Sequence, residues 1–264
     1  MGVSKPLVEI VSNRRWQRRL KPFPHLVVPN LFVEDFADEI DSAVRKILEV
    51  ERMGTIADYD ASGWTFPSDI DWPLRVFVTD EWRKLISRAV GAETIPYISA
   101  SIHHHDVAGP DGRPHSDLAP VYFADCVPTD GVMIQRADLV NSKSGEPRCE
   151  GTPIIRTVRA VSILYYSANP AWHPGDGGET GLYERRSDSP KQPECSVAPL
   201  NNTLVAFECT PNSFHCFRSN RVSERNSITM WLHQSDRAAV ERWGEQALER
   251  WPESPPPPGD EDRR

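Results

Sequence analysis

The stretch RNSITMWLH (225–233) limits what this chain can fold into more than any other. Asn226, Ile228, Met230 and Leu232 alternate with Arg225, Ser227, Thr229 and Trp231, a period of two that belongs to an extended strand. The first set is mostly apolar and suits packing beneath a helix. The second puts an arginine, two hydroxyls and an indole on one face. YISASIHHH (97–105) repeats the pattern, with Ile98, Ala100 and Ile102 opposite Tyr97, Ser99, Ser101, His103 and His105. RAVSILYYS (159–167) and NTLVAFEC (202–209) read as two further strands. A barrel with two polar inner walls has a wet interior, and a wet interior in this class points to a site.

Helices come first and strands follow. PHLVV (24–28) reads as a short strand leading into a helix over 33–50, with Phe36, Ile40, Val44, Ile47 and Leu48 on one stripe. A second helix is expected over 80–90, with Trp82, Leu85, Ile86 and Ala89 on one face, Thr79 as N-cap and Gly91 as stop. A third is expected over 236–250, before Pro252. The order suggests helices backing an antiparallel sandwich or barrel, and no parallel α/β alternation is visible. Residues 1–251 read as one domain, and the proline-rich, charged stretch 252–264 as a disordered tail.

Composition narrows the partners. Thirty Lys and Arg against 38 Asp and Glu give a formal charge of −8, which disfavours non-specific binding to nucleic acid or an anionic membrane. No run approaches the roughly 20 apolar residues of a membrane span, and the N-terminal stretch has no apolar signal core, so a cytoplasmic protein is expected. The five cysteines form no C-x-x-C pair and are read as free thiols. A small-molecule substrate is expected, with a homodimer as an allowed assembly.

The pattern His-any-Asp occurs twice within SIHHHDVAGPDGRPHSD, as His104/Asp106 and as His115/Asp117. Either pair has the composition of two metal ligands. His215 lies in TPNSFHCFRSN, and Arg225 follows ten residues later. His115, Asp117 and His215 together have the composition of a two-histidine, one-carboxylate facial triad, which suits Fe(II) and leaves three adjacent positions open. An arginine inside a barrel is a fixed charge able to fork onto a carboxylate. A zinc site from His103, His105 and His115 has no cysteine partner and poor spacing. Gly177-Gly178 reads as a turn, since no lysine or helix start follows it as in a phosphate loop.

Several motifs in order resemble the prolyl 4-hydroxylase-like branch of the Fe(II)/2-oxoglutarate-dependent dioxygenases, over about residues 22–232. They are PFPHLVVPNLFVEDFADEI, PHSD, RAVSILYYSANPAWHPGDGGETGLYE, PLNNTLVAFECTPNSFHCFRSN and VSERNSITMWLH. The resemblance implies a mainly β, double-stranded β-helix (jelly-roll, cupin-like) core with flanking helices. It implies iron held by His115, Asp117 and His215, and Arg225 pairing the far carboxylate of 2-oxoglutarate. Ser227, Thr229 and Tyr166 are the further cosubstrate contacts it suggests, although Leu164 points the same way as Tyr166. In this family a strand residue about ten before the metal histidine often reaches the cosubstrate. His105 holds that place, which favours His115/Asp117 as the ligand pair and leaves His104, on the apolar face, outside it. Trp231 and His103 are the candidate substrate contacts.

The implied reaction is oxidative decarboxylation of 2-oxoglutarate coupled to hydroxylation of an unactivated C–H bond, with Fe(II), 2-oxoglutarate and O2 as cofactors and ascorbate as a reductant. A free or carrier-linked amino acid or a biosynthetic intermediate is the expected substrate. A prolyl or peptidyl target, or desaturation, epoxidation or cyclisation with the same ligands, are the alternatives. Halogenating relatives replace the carboxylate, so Asp117 favours hydroxylation over halogenation. A non-catalytic metal-binding jelly-roll module is the reading from a different class. One departure from the family stands out: segment 118–158 is far longer than the family needs there, and is expected to act as a lid over the substrate pocket.

Overall fold

A computed structural model describes residues 4–56, 61–126 and 128–250. The stretch 252–264 lies outside them. A short helix α1 (Leu7–Ile10) and strand β1 (Arg18–Arg19) precede β2 (His25–Val28) and the long helix α2 (Glu34–Val50). Phe36, Ile40 and Val44 are fully buried along its inner face, with Ile47 and Leu48 packed at the margin. Strands β3 (Gly54–Ile56) and β4 (Ala61–Thr65) pair antiparallel before α3 (Asp80–Val90). The Thr79 hydroxyl accepts from the Trp82 amide at the start of α3, and Gly91 ends it at a φ of 80°, in the left-handed region that suits glycine.

Strands then dominate. They are β5 (Ile95–His105), β6 (Pro120–Ala124), β7 (Met133–Ile134), β8 (Ile154–Tyr166), β9 (Thr180–Tyr183), β10 (Cys195–Val197), β11 (Thr203–Glu208), β12 (Phe214–Phe217) and β13 (Arg225–Ser235). The large sheet runs β1-β2-β11-β8-β13-β5-β4-β3, with β6 on β8 and β7 on β5; the small sheet runs β10-β9-β12. The two faces of the large sheet have different jobs. Ile98, Ala100, Ile102, Ile163, Tyr165, Ile228, Met230 and Leu232 join one core cluster with Phe36, Ile40, Trp82 and Ile86 of the helices. Leu164, Tyr166, Val205 and Phe207, on the other face, pack with Leu182 and Val197 of the small sheet. This is a jelly roll backed by helices, as expected.

Strand register decides what faces the space between the sheets. Arg225 lies opposite His105, Ser227 between His103 and Tyr166, Thr229 between Ser101 and Leu164, and Trp231 between Ser99 and Ser162. The polar side chains therefore form successive rows across β5, β13 and β8. One irregularity interrupts them: the pairing shifts between Leu232 and His233, so that Leu232 faces Val161 while His233 faces Arg159. Such a bulge inserts one residue and reverses the side-chain parity beyond it.

Two expectations need correction. The last helix, α4 (Asp236–Trp243), stops short of 250 because Gly244 takes a φ of 81°, after which Glu245–Ala247 make a separate 3-10 turn. Segment 118–158 is not one long loop. Its first part is β6 and its last part opens β8 at Ile154, the two pairing antiparallel from Pro120↔Val158 to Ala124↔Ile154. The cysteines are all free thiols, and no helix among the described residues is long and apolar enough to cross a membrane.

Candidate active site

His115 sits in the segment after β5, and its backbone bridges to His215 in β12. The His115 amide donates to the His215 carbonyl at 3.1 Å, and the His215 amide donates back at 3.0 Å. This antiparallel bridge brings the two imidazoles to a centroid separation of 4.5 Å. Each ring is then oriented the same way. His115 Nδ1 lies 2.9 Å from the Arg113 carbonyl and His215 Nδ1 lies 3.2 Å from the Ser213 carbonyl. A carbonyl only accepts, so each Nδ1 carries a proton and each ring turns its Nε2 toward Asp117. Burial, with His215 facing it, pushes His115 down to about 3 and keeps it neutral.

Asp117 completes the group. One ligand atom from each of His115, Asp117 and His215 lies within 4.8 Å of the others, and all three residues are buried. The Asp117 carboxylate lies 3.7 Å from His115 Nε2 and 3.4 Å from His215 Nε2. Ligands set at right angles about 2.1 Å from one ion would be separated by roughly 3 Å, so a small closure suffices to hold a metal. Burial alone would raise the Asp117 pKa, but His215, Arg159 and His115 around it hold the carboxyl well below the usual range. Two imidazole nitrogens and one ionised oxygen make a donor set that fits Fe(II).

Three further donors converge on that carboxylate, none of them anticipated as its partner. Ser162 Oγ and Trp231 Nε1 each donate to Oδ2 at 2.7 Å, and Arg159 Nη1 donates to Oδ1 at 3.3 Å. The Arg159 guanidinium also lies 3.8 Å from the Trp231 ring centroid. Trp231, expected to meet substrate, lines the cavity, and its indole N–H holds Asp117. Simple alternation groups Arg159 with Val161 and Ile163, on the core side. The bulge between Leu232 and His233 is what returns it to the cavity face.

A second polar cluster surrounds Arg225, which is 3% exposed. Its Nη1 donates to Ser227 Oγ at 3.2 Å and its Nη2 to Thr180 Oγ1 at 3.1 Å. Tyr166 Oη donates to the same Thr180 oxygen at 2.6 Å, and the guanidinium lies 5.1 Å from the Tyr166 ring and 5.5 Å from Phe217. Burial presses the Arg225 pKa below its ordinary value. Among the described residues no carboxylate pairs with it, and its Nε meets no acceptor. A buried guanidinium flanked only by hydroxyls and rings fits the far carboxylate of a dicarboxylic acid. Thr180 escaped the sequence reading although it ends the Gly-Gly-Glu-Thr motif. The turn that delivers it requires glycine, since a Cβ on Gly177 would lie 2.0 Å from the Ser219 carbonyl.

Both clusters line one cavity of about 380 Å³, and Thr229, Leu164, His103 and His105 line it too. Ser227 reaches the cavity only through Arg225, and Tyr166 through Thr180 and the guanidinium. His105 stacks on Phe217 at 3.8 Å. Burial, with Arg225 and Arg159 nearby, pushes His103 down to about 3. His104 points elsewhere: its Nδ1 meets Asn226 Oδ1 at 2.7 Å and its Nε2 meets Asp106 at 3.1 Å. The mouth is formed by Thr55, Ala61 and Thr65 on one side and by Pro120, Gln135 and Ser142 of segment 118–158 on the other.

Residues 151–233 match the family model of the 2OG-Fe(II) oxygenase superfamily. That segment holds His215, Arg225, Arg159, Ser162, Thr180 and Trp231, while His115 and Asp117 precede it. No curated protein sequence matches the chain. The fold is similar to a prolyl-4-hydroxylase from Pseudomonas putida, at 15% identity over 81% of this chain and 95% of that one, with a TM-score of 0.54. It is also similar to a prolyl hydroxylase from Trichoplax adhaerens, solved in complex with a hypoxia inducible factor oxygen degradation domain peptide fragment. There the identity is 14% over 84% of this chain and 88% of that one, again at a TM-score of 0.54. The chain thus carries a match to the 2OG-Fe(II) oxygenase superfamily over 151–233, shares the jelly-roll fold of these prolyl hydroxylases, and holds a buried His-Asp-His group that could bind a metal.

Proposed function

We propose that this enzyme hydroxylates an unactivated C–H bond of a small molecule, a free or carrier-linked amino acid or a biosynthetic intermediate. In this reading His115, Asp117 and His215 hold Fe(II), and Arg225 holds the far carboxylate of 2-oxoglutarate. One observation carries it: a single cavity contains both the His-Asp-His group and a buried guanidinium without a carboxylate partner among the described residues. When bound, Fe(II) with 2-oxoglutarate and O2 supplies oxidation of a C–H bond coupled to release of CO2 and succinate.

The chain's own contribution is placement and exclusion of water. Ser227 and Thr180 fix the Arg225 fork from two sides, and the Tyr166 and Phe217 rings confine it. Held this way, the guanidinium needs no reorganisation to meet a carboxylate, which makes the contact stronger than a surface one. Leu164, Phe217 and the stacked His105 wall the cavity around it. His103, kept neutral, offers the substrate side a hydrogen-bonding group without charge.

A cavity of about 380 Å³ is at the small end of ligand pockets, which supports a small substrate over an extended one. Two prolyl hydroxylases among the similar folds make peptidyl proline the second reading. Succinate release with Fe(II) and 2-oxoglutarate, measured for the wild type and His115→Ala, tests the reaction; equal release by both proteins overturns it. Screening amino acids and proline-containing peptides for a gain of one oxygen atom separates the two substrate readings.

A further inference from the structure

The ladder between β8 and β13 ends at the rung Ser227↔Tyr166. β8 itself stops at Tyr166, and two residues on, Ala168 takes a φ of 59° as the chain turns off the ladder. Asn226 lies beyond that last rung and is fully buried, so its backbone amide and carbonyl need partners on this side other than a strand. Both find them in one side chain. The Asn226 amide donates to Asn169 Oδ1 at 2.6 Å, and Asn169 Nδ2 donates to the Asn226 carbonyl at 2.9 Å. A side-chain amide offers an acceptor and a donor side by side, so it can close a rung where the strand has left.

We propose that Asn169 is a positioning residue for Arg225: its amide supplies the missing rung beside that arginine and fixes where the guanidinium starts. The inference rests on the reading of Arg225 as the holder of the far carboxylate of 2-oxoglutarate.

Asn169 is itself held. Its backbone amide donates to Asn201 Oδ1 and its carbonyl accepts from Asn201 Nδ2, each at 2.9 Å. Two side-chain amides thus pass the same double bond from the turn before β11 to the end of β13. Asn226 adds a third tie, its Nδ2 donating to the Ala168 carbonyl at 3.1 Å. The need for such ties is local. Arg225 is the first residue of β13, and chain ends of elements open most easily. A fray there would carry the arginine stem away from Ser227 and Thr180, whose hydroxyls hold the two ends of the fork. Asn169 acts through the backbone next to the arginine.

The test compares Asn169→Ala with Asn202→Gly. Asn202 makes a matching double bond, to the amide and carbonyl of Phe32, each at 2.9 Å, and glycine keeps its φ of 58°. Exchange of the Asn226 amide is followed by NMR. Affinity for 2-oxoglutarate is measured by calorimetry on Mn(II)-loaded protein, and thermal unfolding reports folding. In Asn169→Ala the Asn226 amide should exchange faster, and 2-oxoglutarate should bind roughly 3–10-fold more weakly, the worth of about one hydrogen bond. Asn202→Gly should lose thermal stability yet leave the affinity within about twofold, because its side chain shares no partner with Arg225. Asn169→Ser, which retains one bond at most, should fall between the two, and it carries the test if the alanine variant does not fold. Faster exchange with unchanged affinity in both Asn169 variants overturns the proposal. An equal loss of affinity in Asn202→Gly also overturns it, since general loosening then explains the effect. Arg225→Met binding 2-oxoglutarate as tightly as the wild type overturns the reading of Arg225 itself, and this inference with it.

Discussion

The cavity has two kinds of wall. Its inner wall is cut from β5, β8 and β13, where register fixes each side chain, Ser162 and Trp231 hold Asp117, and Ser227 with Thr180 holds Arg225. Its rim comes from the β3–β4 hairpin and segment 118–158, where Thr55, Gln135 and Ser142 stand on short strands and turns. Groups on paired strands are held more rigidly than groups on loops, and reaction chemistry needs that rigidity more than substrate choice does. The inner wall should therefore govern turnover and cosubstrate, and the rim should govern which substrate is taken.

Arg225 offers the largest effect by which to break that division. Replacing it with methionine keeps most of the stem and removes the fork. A desolvated charge-assisted pair is worth about 1.5–3 kcal/mol, so the KM for 2-oxoglutarate should rise roughly 10–100-fold in a succinate-release assay. The KM for substrate should move far less. An unchanged 2-oxoglutarate KM would remove Arg225 from the inner wall's function.

The inner wall also predicts a pH response of stability. His233 is fully buried beneath it, with Nε2 3.0 Å from Ser99 Oγ and Nδ1 3.0 Å from Thr157 Oγ1. Burial, with Arg159 facing it, holds the ring well below its ordinary pKa of 6.5. In the unfolded chain the imidazole takes up a proton as pH falls through about 6.5, and in the folded protein it does not. Stability is thus full above that value and falls below it, by about 1.4 kcal/mol per pH unit for this one group. Urea unfolding between pH 7 and pH 5 should show the decline, and His233→Gln should flatten it. Parallel curves for the two proteins would mean that other groups, such as the buried His25, set the slope.

How far the two walls could be read from residues alone follows from their geometry. The inner wall was readable because a strand's period of two survives in sequence: Arg225, Thr229 and His105 were assigned to the cavity from alternation, and they line it. Arg159 is not, because β8 carries one extra residue, Ala160, where the pairing passes from Leu232↔Val161 to His233↔Arg159, and this reverses the parity of Arg159 without any mark in the alternation pattern. Trp231 falls on the cavity face by alternation and lines the cavity, but its hydrogen bond to Asp117 is not legible, since alternation says where a side chain points and not what meets it. Segment 118–158 reads from sequence as one long loop because of its length and its start beside Asp117, and its strands stay hidden. The pairing of β6 with β8 is a long-range contact that local pattern does not announce.

The rim makes a smaller prediction. Gln135→Ala and Ser142→Ala remove polar groups at the mouth without touching either buried cluster. One uncharged hydrogen bond is worth about 0.5–1.5 kcal/mol, so substrate KM should rise roughly 2–10-fold per variant. The 2-oxoglutarate KM should stay level. A shift in both constants would mean that the rim and inner wall are coupled, and the division would need redrawing.

The smallest expected effect tests the division from outside the cavity. His104 and Asp106 repeat the spacing of His115 and Asp117 eleven residues upstream, yet among the described residues no second histidine joins them in a metal-binding group. His104 instead bonds the Asn226 side chain, whose amide donates onward to the Ala168 carbonyl, so it belongs to the face that packs under the helices. His104→Gln should leave Fe(II) affinity within about twofold of the wild type. It should cost about 0.5–1.5 kcal/mol of stability, the worth of one hydrogen bond. A large loss of iron binding with little loss of stability would reverse the assignment, because the same spacing would then hold metal on a face that the register turns away from His215.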